Sequence, residues 1–232
     1  MQLQMRERGL PDPRFLALGT NMLQPTKRQE GVGNFCFCSS VITGKGSAVC
    51  ALRCYMNHPI TALVIMGVAG CGKTCVSEAL CQLSGATAIE GDSFHPAANI
   101  EKMSAGIPLN DEDRAGWLDS LCDELRRIDA KGQRPVLTCS ALKHIYRERL
   151  RSAMPGLGFV FLELTPEVAA DRVSHRPGHF MPSTLIDSQF ATLESPVGEP
   201  LTLALDASTH SVDQLAMQAH AWWLEHGLKR AV

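Results

Sequence analysis

Residues Thr61 to Leu83 read TALVIMGVAGCGKTCVSEALCQL. Ala62 to Met66 is a short apolar run with the length and branching of a buried strand. Gly67-Val68-Ala69-Gly70-Cys71-Gly72-Lys73-Thr74 then fits G-x-x-x-x-G-K-[ST] at every fixed position. Behind it Val76, Leu80 and Leu83 recur at i, i+4 and i+7, the spacing of one helix face. Strand, glycine loop and helix in that order predict a phosphate-binding loop rather than a glycine turn that binds nothing. The glycines let the backbone wrap closely and aim its N–H groups at a phosphate, and the helix N-terminus adds partial positive charge. Lys73 supplies a mobile full charge for β/γ-phosphates, and the Thr74 hydroxyl is a ligand for Mg²⁺.

The chain has 232 residues, 45% hydrophobic and 20% charged, with a net charge of -2. This balance suits one ordinary soluble domain and carries no basic excess for nucleic acid. No apolar run approaches the roughly 18 residues that cross a bilayer, and none near the start resembles a secretory signal. The nine cysteines are odd in number and scattered, which argues against a disulfide framework and for a reducing cytoplasm. Cys36-x-Cys38 and Cys50-x3-Cys54 lack the partners that a zinc site needs.

Residues 1–57 read differently from 58–232. They show no sustained periodicity, and their seven Lys and Arg against three acids contrast with 15 against 21 in the remainder. Acids and prolines within them weaken an organellar targeting reading. The expectation is an extension that is disordered or untranslated, with Met56 as a natural start.

From Ile60 onward strands and helices alternate. Strands are expected at Thr87–Glu90, Pro135–Cys139, Gly158–Leu164 and Leu201–Leu205, with helices between, giving a five-stranded parallel sheet. In such sheets ligands gather at the strands' C-terminal ends. Motor and switch enzymes end an apolar strand in Asp as a second metal anchor. Here the third strand ends VLTCS and the fourth FLEL, which leaves Asp92, after the second strand, as the strand-end carboxylate. That placement favours a small-molecule kinase.

Four further runs carry a resemblance. They are Gly91-Asp92-x-Phe94-His95-Pro96-x-x-Asn99-Ile100-x-Lys102-Met103, Pro108-Leu109-Asn110-Asp111-x-Asp113-Arg114-x-x-Trp117-Leu118, Cys139-Ser140-Ala141-Leu142-Lys143-x-x-Tyr146-Arg147, and Gly178-His179-Phe180 with Ser188-Gln189-Phe190-x-Thr192-Leu193. Together they resemble the gluconokinases, which share the architecture of shikimate and nucleoside monophosphate kinases. The resemblance covers residues 60 to about 228. It implies an α/β P-loop kinase with a small lid, helices on both faces of the sheet, and homodimers by analogy. It also implies transfer of the ATP γ-phosphoryl group to the 6-hydroxyl of D-gluconate.

The residues can be read for that task. Asp92 is placed to accept a hydroxyl proton or to help hold Mg²⁺ through water, unless it only caps a helix. His95 either contacts substrate or caps its turn. Lys102, Arg114, Lys143 and Arg147 are the candidate cations for a carboxylate and several hydroxyls, with Asp111 and Asp113 expected to pin Arg114. Arg172 and Arg176, one helix turn apart, lead into a Gly/Pro loop suited to closing over phosphates. His179 and Gln189 are substrate contacts by resemblance alone. Gluconokinases usually carry serine where Ala69 and Cys71 stand. A helix N-terminus lowers thiol pKa, so either Cys71 and Cys75 make activity oxidation-sensitive, with ATP protecting it, or they are small stand-ins for serine. Two other readings stay open: a kinase of this fold for another small acid or alcohol, such as shikimate or a nucleoside monophosphate, and a non-catalytic nucleotide-binding regulator.

Overall fold

The computed structural model describes residues 59–175 and 183–227. The N-terminal extension, the cysteine pairs within it, Arg176 and the Gly178–Phe180 run lie outside them. Strands β1 (Ala62–Met66), β2 (Thr87–Glu90), β3 (Pro135–Thr138), β4 (Leu157–Glu163) and β5 (Thr202–Asp206) form one sheet in the order β2-β3-β1-β4-β5. Every neighbouring pair is parallel, as the alternating pattern predicts. The helices are α1 (Lys73–Ser84), α2 (Ala97–Ser104), α3 (Asp111–Asp129), α4 (His144–Ala153), α5 (Pro166–Ser174), α6 (Ser183–Thr192) and α7 (Val212–His226).

β1 is buried along its whole length, and its side chains alternate between two cores. Ala62, Val64 and Met66 join Trp117, Leu121 and Leu125 of α3 and Leu150 of α4. Leu63 and Ile65 join Val76 and Leu80 of α1 and Leu215, Ala219 and Trp223 of α7. Both faces are therefore covered, and an apolar run of five residues is what such a strand requires. Among the described residues no helix is long and apolar enough to cross a membrane.

Local chemistry sets the element ends that matter for the site. Asn110 caps α3: its side chain accepts from the Asp113 N–H at 2.8 Å, and the Asp113 carboxylate accepts from the Asn110 N–H at 3.1 Å. Thr165 caps α5, with Pro166 in the first turn. The helix that follows β3 begins only at His144. Residues 140–143 instead form a turn in which Ala141 adopts the left-handed conformation, φ 45°.

β2 ends against β3 through Gly91. A Cβ there would stand 2.1 Å from the Thr138 carbonyl oxygen, so only glycine fits. The Gly91 N–H donates to Thr138 Oγ1 at 3.2 Å, and Trp117 Nε1 donates to the Gly91 carbonyl at 2.8 Å. Gly91→Ala must push the two backbones apart. It is expected to cost about 1–3 kcal/mol, as overpacking does, read as a lowered urea midpoint at unchanged slope.

Candidate active site

The glycine loop joins β1 to α1 at the C-terminal edge of the sheet. Gly72, with φ 94°, caps α1, and an added Cβ there would meet nothing within 4 Å. Gly67 differs: with φ 140°, its Cβ would lie 2.8 Å from both Cys71 Sγ and the Leu162 carbonyl oxygen. Both positive φ values favour glycine, and at Gly67 the space is closed as well, so the loop keeps the close backbone of an anion cradle. Lys73 Nζ curls back across the loop, donating to the Gly67 and Val68 carbonyls at 3.2 and 3.1 Å. Arg172 of α5 lies beside it, donating to the Ala207 carbonyl at 2.8 Å.

The Thr74 hydroxyl donates to Glu90 Oε2 at 2.9 Å, and Thr138 Oγ1 donates to Glu90 Oε1 at 2.6 Å. Glu90 is a functional candidate that the sequence reading passed over as the last residue of a strand. Its spacing two residues before Asp92, on the same strand end, was the available signal. Thr74 and Glu90 make an oxygen-only donor set at the mouth of the loop, which fits a hard divalent cation that keeps several waters.

Asp92 is exposed in a 3₁₀ turn, Gly91–Phe94, directly beyond β2. No described residue forms a hydrogen bond or ion pair with its carboxylate. Its charge, with those of Lys73 and Arg114, acts on the thiol of Cys139, which burial pushes up to about 12. Charges from the glycine loop, the end of β2 and α3 therefore converge around the end of β3.

Beside this edge lies a cavity of about 250 Å³, lined among others by Arg114, Asp111, Lys143, Tyr146, Ser188 and Gln189. Lys143 and Asp111 pair across it at 2.6 Å, and the Tyr146 hydroxyl also donates to Asp111. Lys102 is taken by Asp113, also at 2.6 Å. These hydrogen bonds hold both carboxyls below their usual range. Asp111 and Asp113 thus hold the two lysines rather than Arg114. Among the described residues Arg114 has no ion-pair partner; it lies 5.8 Å from the Tyr146 ring, and its charge acts on Asp111 and Asp113 at longer range.

No protein-family model matches the sequence. The gluconokinase of Gluconobacter oxydans (strain 621H) is 47% identical over 148 residues, spanning 64% of this chain and 83% of that one. The thermosensitive gluconokinase of Escherichia coli (strain K12) is 39% identical over 157 residues, spanning 68% and 84%. A gluconokinase crystal structure from Sinorhizobium meliloti 1021 matches with a TM-score of 0.65 and 44% identity, covering 73% of this chain and 94% of its own.

The chain belongs to the gluconokinase family.

Three expectations for a gluconokinase site need correction. Arg147 is not a substrate cation: it is fully buried, donating from Nε to Glu199 at 2.9 and 3.1 Å and from Nη1 to the Ala141 and Leu142 carbonyls at 2.9 and 3.0 Å. It props up the left-handed turn that carries Lys143. Arg151 joins Glu199 from the next helical turn at 2.8 Å. Burial works against the Glu199 charge, but hydrogen bonds from Arg147, His144 and Arg151 hold its carboxyl down at about 2. Cys71 is the second correction. Its side chain lies under Gly67 at 1% exposure, and burial, outweighing the Lys73 charge, raises its pKa, so the low-pKa argument fails there. Cys75 is exposed. Third, Asp111 and Asp113 have the partners given above.

His95 is buried and stacks on Trp117, ring centroids 4.3 Å apart and 12° from parallel. Asn99 Nδ2 lies 3.4 Å from its Nδ1 and donates to the Asp113 carbonyl at 2.7 Å. An amide donor facing Nδ1 places the imidazole proton on Nε2. His179 lies outside the described residues.

Two measurements follow. Arg147→Met leaves Glu199 short of its principal partner in a buried setting and is expected to cost about 3–5 kcal/mol of stability, measured by urea unfolding. Desolvation, offset in part by Asp92 and reinforced by Arg114, lowers the His95 pKa. The unfolded chain therefore binds this proton first, near about pH 6.5. Stability is whole above that value and declines as pH falls through it. The urea midpoint is expected to drop between pH 7.5 and 5.5, with a shallower drop in His95→Gln.

Proposed function

We propose that the chain transfers the γ-phosphoryl group of ATP to the 6-hydroxyl of D-gluconate, giving ADP and 6-phospho-D-gluconate. One observation carries this reading beyond the family relationship. Arg114 stands in the cavity beside the glycine loop with no ion-pair partner among the described residues; its charge reaches Asp111 and Asp113 only at longer range, because the neighbouring lysines pair with those two carboxylates. A planar guanidinium with free donors is suited to a sugar acid's carboxylate.

The residues divide the work. The Gly67–Thr74 loop cradles the phosphates through the backbone N–H groups not already bonded within the protein, as that of Ala69 is to Gln189, Lys73 swings from its carbonyl partners onto the transferring group, and Arg172 flanks the nucleotide side. Thr74 and Glu90 would hold Mg²⁺, which when bound offsets phosphate charge. Asp92, without a hydrogen-bond or ion-pair partner among the described residues, takes the 6-hydroxyl proton or orients it for in-line attack. Asp111 and Lys143 offer an acceptor and a donor to the polyol, and His95 presents its Nε2–H from the Trp117 stack. Lys102, tied to Asp113, steadies the edge of this region. Arg176 and His179 are assigned to the lid by family analogy, as is homodimerisation. We take 58–232 as the kinase domain, 1–57 as an extension, and the cytoplasm as its location.

A coupled assay of ADP release across gluconate, other sugar acids, shikimate and nucleoside monophosphates tests the reading. Gluconate is expected to give the highest kcat/KM. Asp92→Asn is expected to lower kcat by about 10²–10⁴ with ATP binding kept, the range for losing a general base. Arg114→Lys is expected to raise the KM for gluconate about tenfold or more as the bidentate contact is lost. Full activity in Asp92→Asn, or nucleotide binding without turnover of any acceptor, overturns it.

A further inference from the structure

α6 reaches both halves of the site. From its second turn the Gln189 side chain accepts a hydrogen bond from the Ala69 backbone N–H at 2.7 Å, across 120 positions of sequence. Ala69 is the third residue of the glycine loop. The same Gln189, with Ser188 and Thr192 of α6, lines the cavity that holds Arg114 and Lys143.

The chemistry fixes the orientation of this amide. A backbone N–H needs an acceptor, so the group facing Ala69 is the carbonyl Oε1 and not the Nε2 amino group. Nε2 and its two donors point elsewhere, and no described residue accepts from them. Nor is α6 a loose lid segment at its far end. The Glu194 N–H donates to the Leu142 carbonyl at 2.9 Å, and Arg147 and Arg151 hold Glu199 in the connection that follows. The helix end is thus stapled to the turn that carries Lys143, while Gln189 ties its middle to the glycine loop.

We propose that Gln189 is a positioning residue that couples the two substrates. Its carbonyl, held by Ala69, senses the conformation of the phosphate cradle, and its amino group donates to an oxygen of the bound acceptor. Ordering of the loop by nucleotide then pre-sets the acceptor's donor, and a bound acceptor in turn holds the loop in place. By reciprocity each ligand tightens the other by the same factor. The proposal rests on this cavity being where the acceptor binds.

The link itself is read without any acceptor. In the full-length protein the Ala69 amide is expected to be protected from hydrogen exchange and to exchange at least about tenfold faster in Gln189→Met, which removes the bond. Gln189→Glu keeps a carbonyl for Ala69 but loses both donors, so protection should survive. Coupling is read by calorimetry with a non-hydrolysable ATP analogue, with and without gluconate. The wild type is expected to bind the analogue about tenfold tighter with gluconate present. In Gln189→Met that gain should vanish while affinity for the analogue alone changes less than about threefold, a split that general damage to the fold would not produce. An unprotected Ala69 amide in the wild type, or wild-type coupling in Gln189→Met, overturns the proposal. If wild-type protein turns over another acceptor but not gluconate, the assignment of gluconate fails instead, and the same titration is read with that acceptor.

Discussion

The backbone of Gly91 lies so close to that of Thr138 that no side chain fits between them, and the acceptor half of the site hangs from this contact. It fixes where β2 stops. One residue before it, Glu90 meets the hydroxyls of Thr74 and Thr138; one residue after it, the Asp92 carboxylate has no partner among the described residues. The Trp117 N–H that satisfies the Gly91 carbonyl belongs to the ring on which His95 stacks. A single close approach therefore registers a metal-side carboxylate, a reacting-side carboxylate and an imidazole relative to the glycine loop. Side chains placed on the ends of rigid strands keep the sub-ångström tolerances that in-line transfer demands.

Charge is distributed with equal economy along this edge. Lys143 and Lys102 are each matched to an aspartate, Arg147 to Glu199, and Arg151 to Glu199 and Glu148, so most of the cations named by the sequence motifs already have carboxylate partners. Among the described residues, Arg114 on one side and Asp92 on the other are left without an ion pair, both acting on the same buried thiol at the end of β3. An unpaired guanidinium and an unpaired carboxylate at one strand edge would repay closing only around a ligand that carries the complementary groups. A polyhydroxy acid carries both, an anionic end and hydroxyls to give up a proton.

The strands and their order of appearance were legible because parallel strands buried on both faces must be continuous apolar runs, and Ala62–Met66, Pro135–Thr138 and Leu157–Glu163 are such runs. The glycine loop was legible because its chemistry is local: spacing alone forces the backbone to turn inward. Arg147 was not. An arginine one turn into a helix, close behind a strand end, has the sequence look of a ligand contact, and only the distant Glu199, brought in by the α6–β5 connection, consumes it. Glu90 escaped notice for the converse reason, since a strand's last residue points at whatever its neighbouring strand supplies. Cys71 shows how a helix N-terminus argument fails when the side chain turns under the loop instead of over it, where burial outweighs the dipole.

The Ala141 turn links these points. A non-glycine residue in the left-handed region costs on the order of 1 kcal/mol or more, and it persists here because Arg147 binds the carbonyls of Ala141 and Leu142 from beneath. A guanidinium can do this only if its own charge is balanced, which Glu199 provides from the connection behind α6. The buried pair is thus poor evidence for stability as such and better understood as a device for shape. It sets the turn that aims Lys143 into the cavity, and in the same stroke it anchors the end of the helix that carries Gln189. Replacing the pair with apolar residues of equal volume could leave the fold as stable as before, yet it would free both the turn and the helix, and the cavity would lose the geometry that makes it a site.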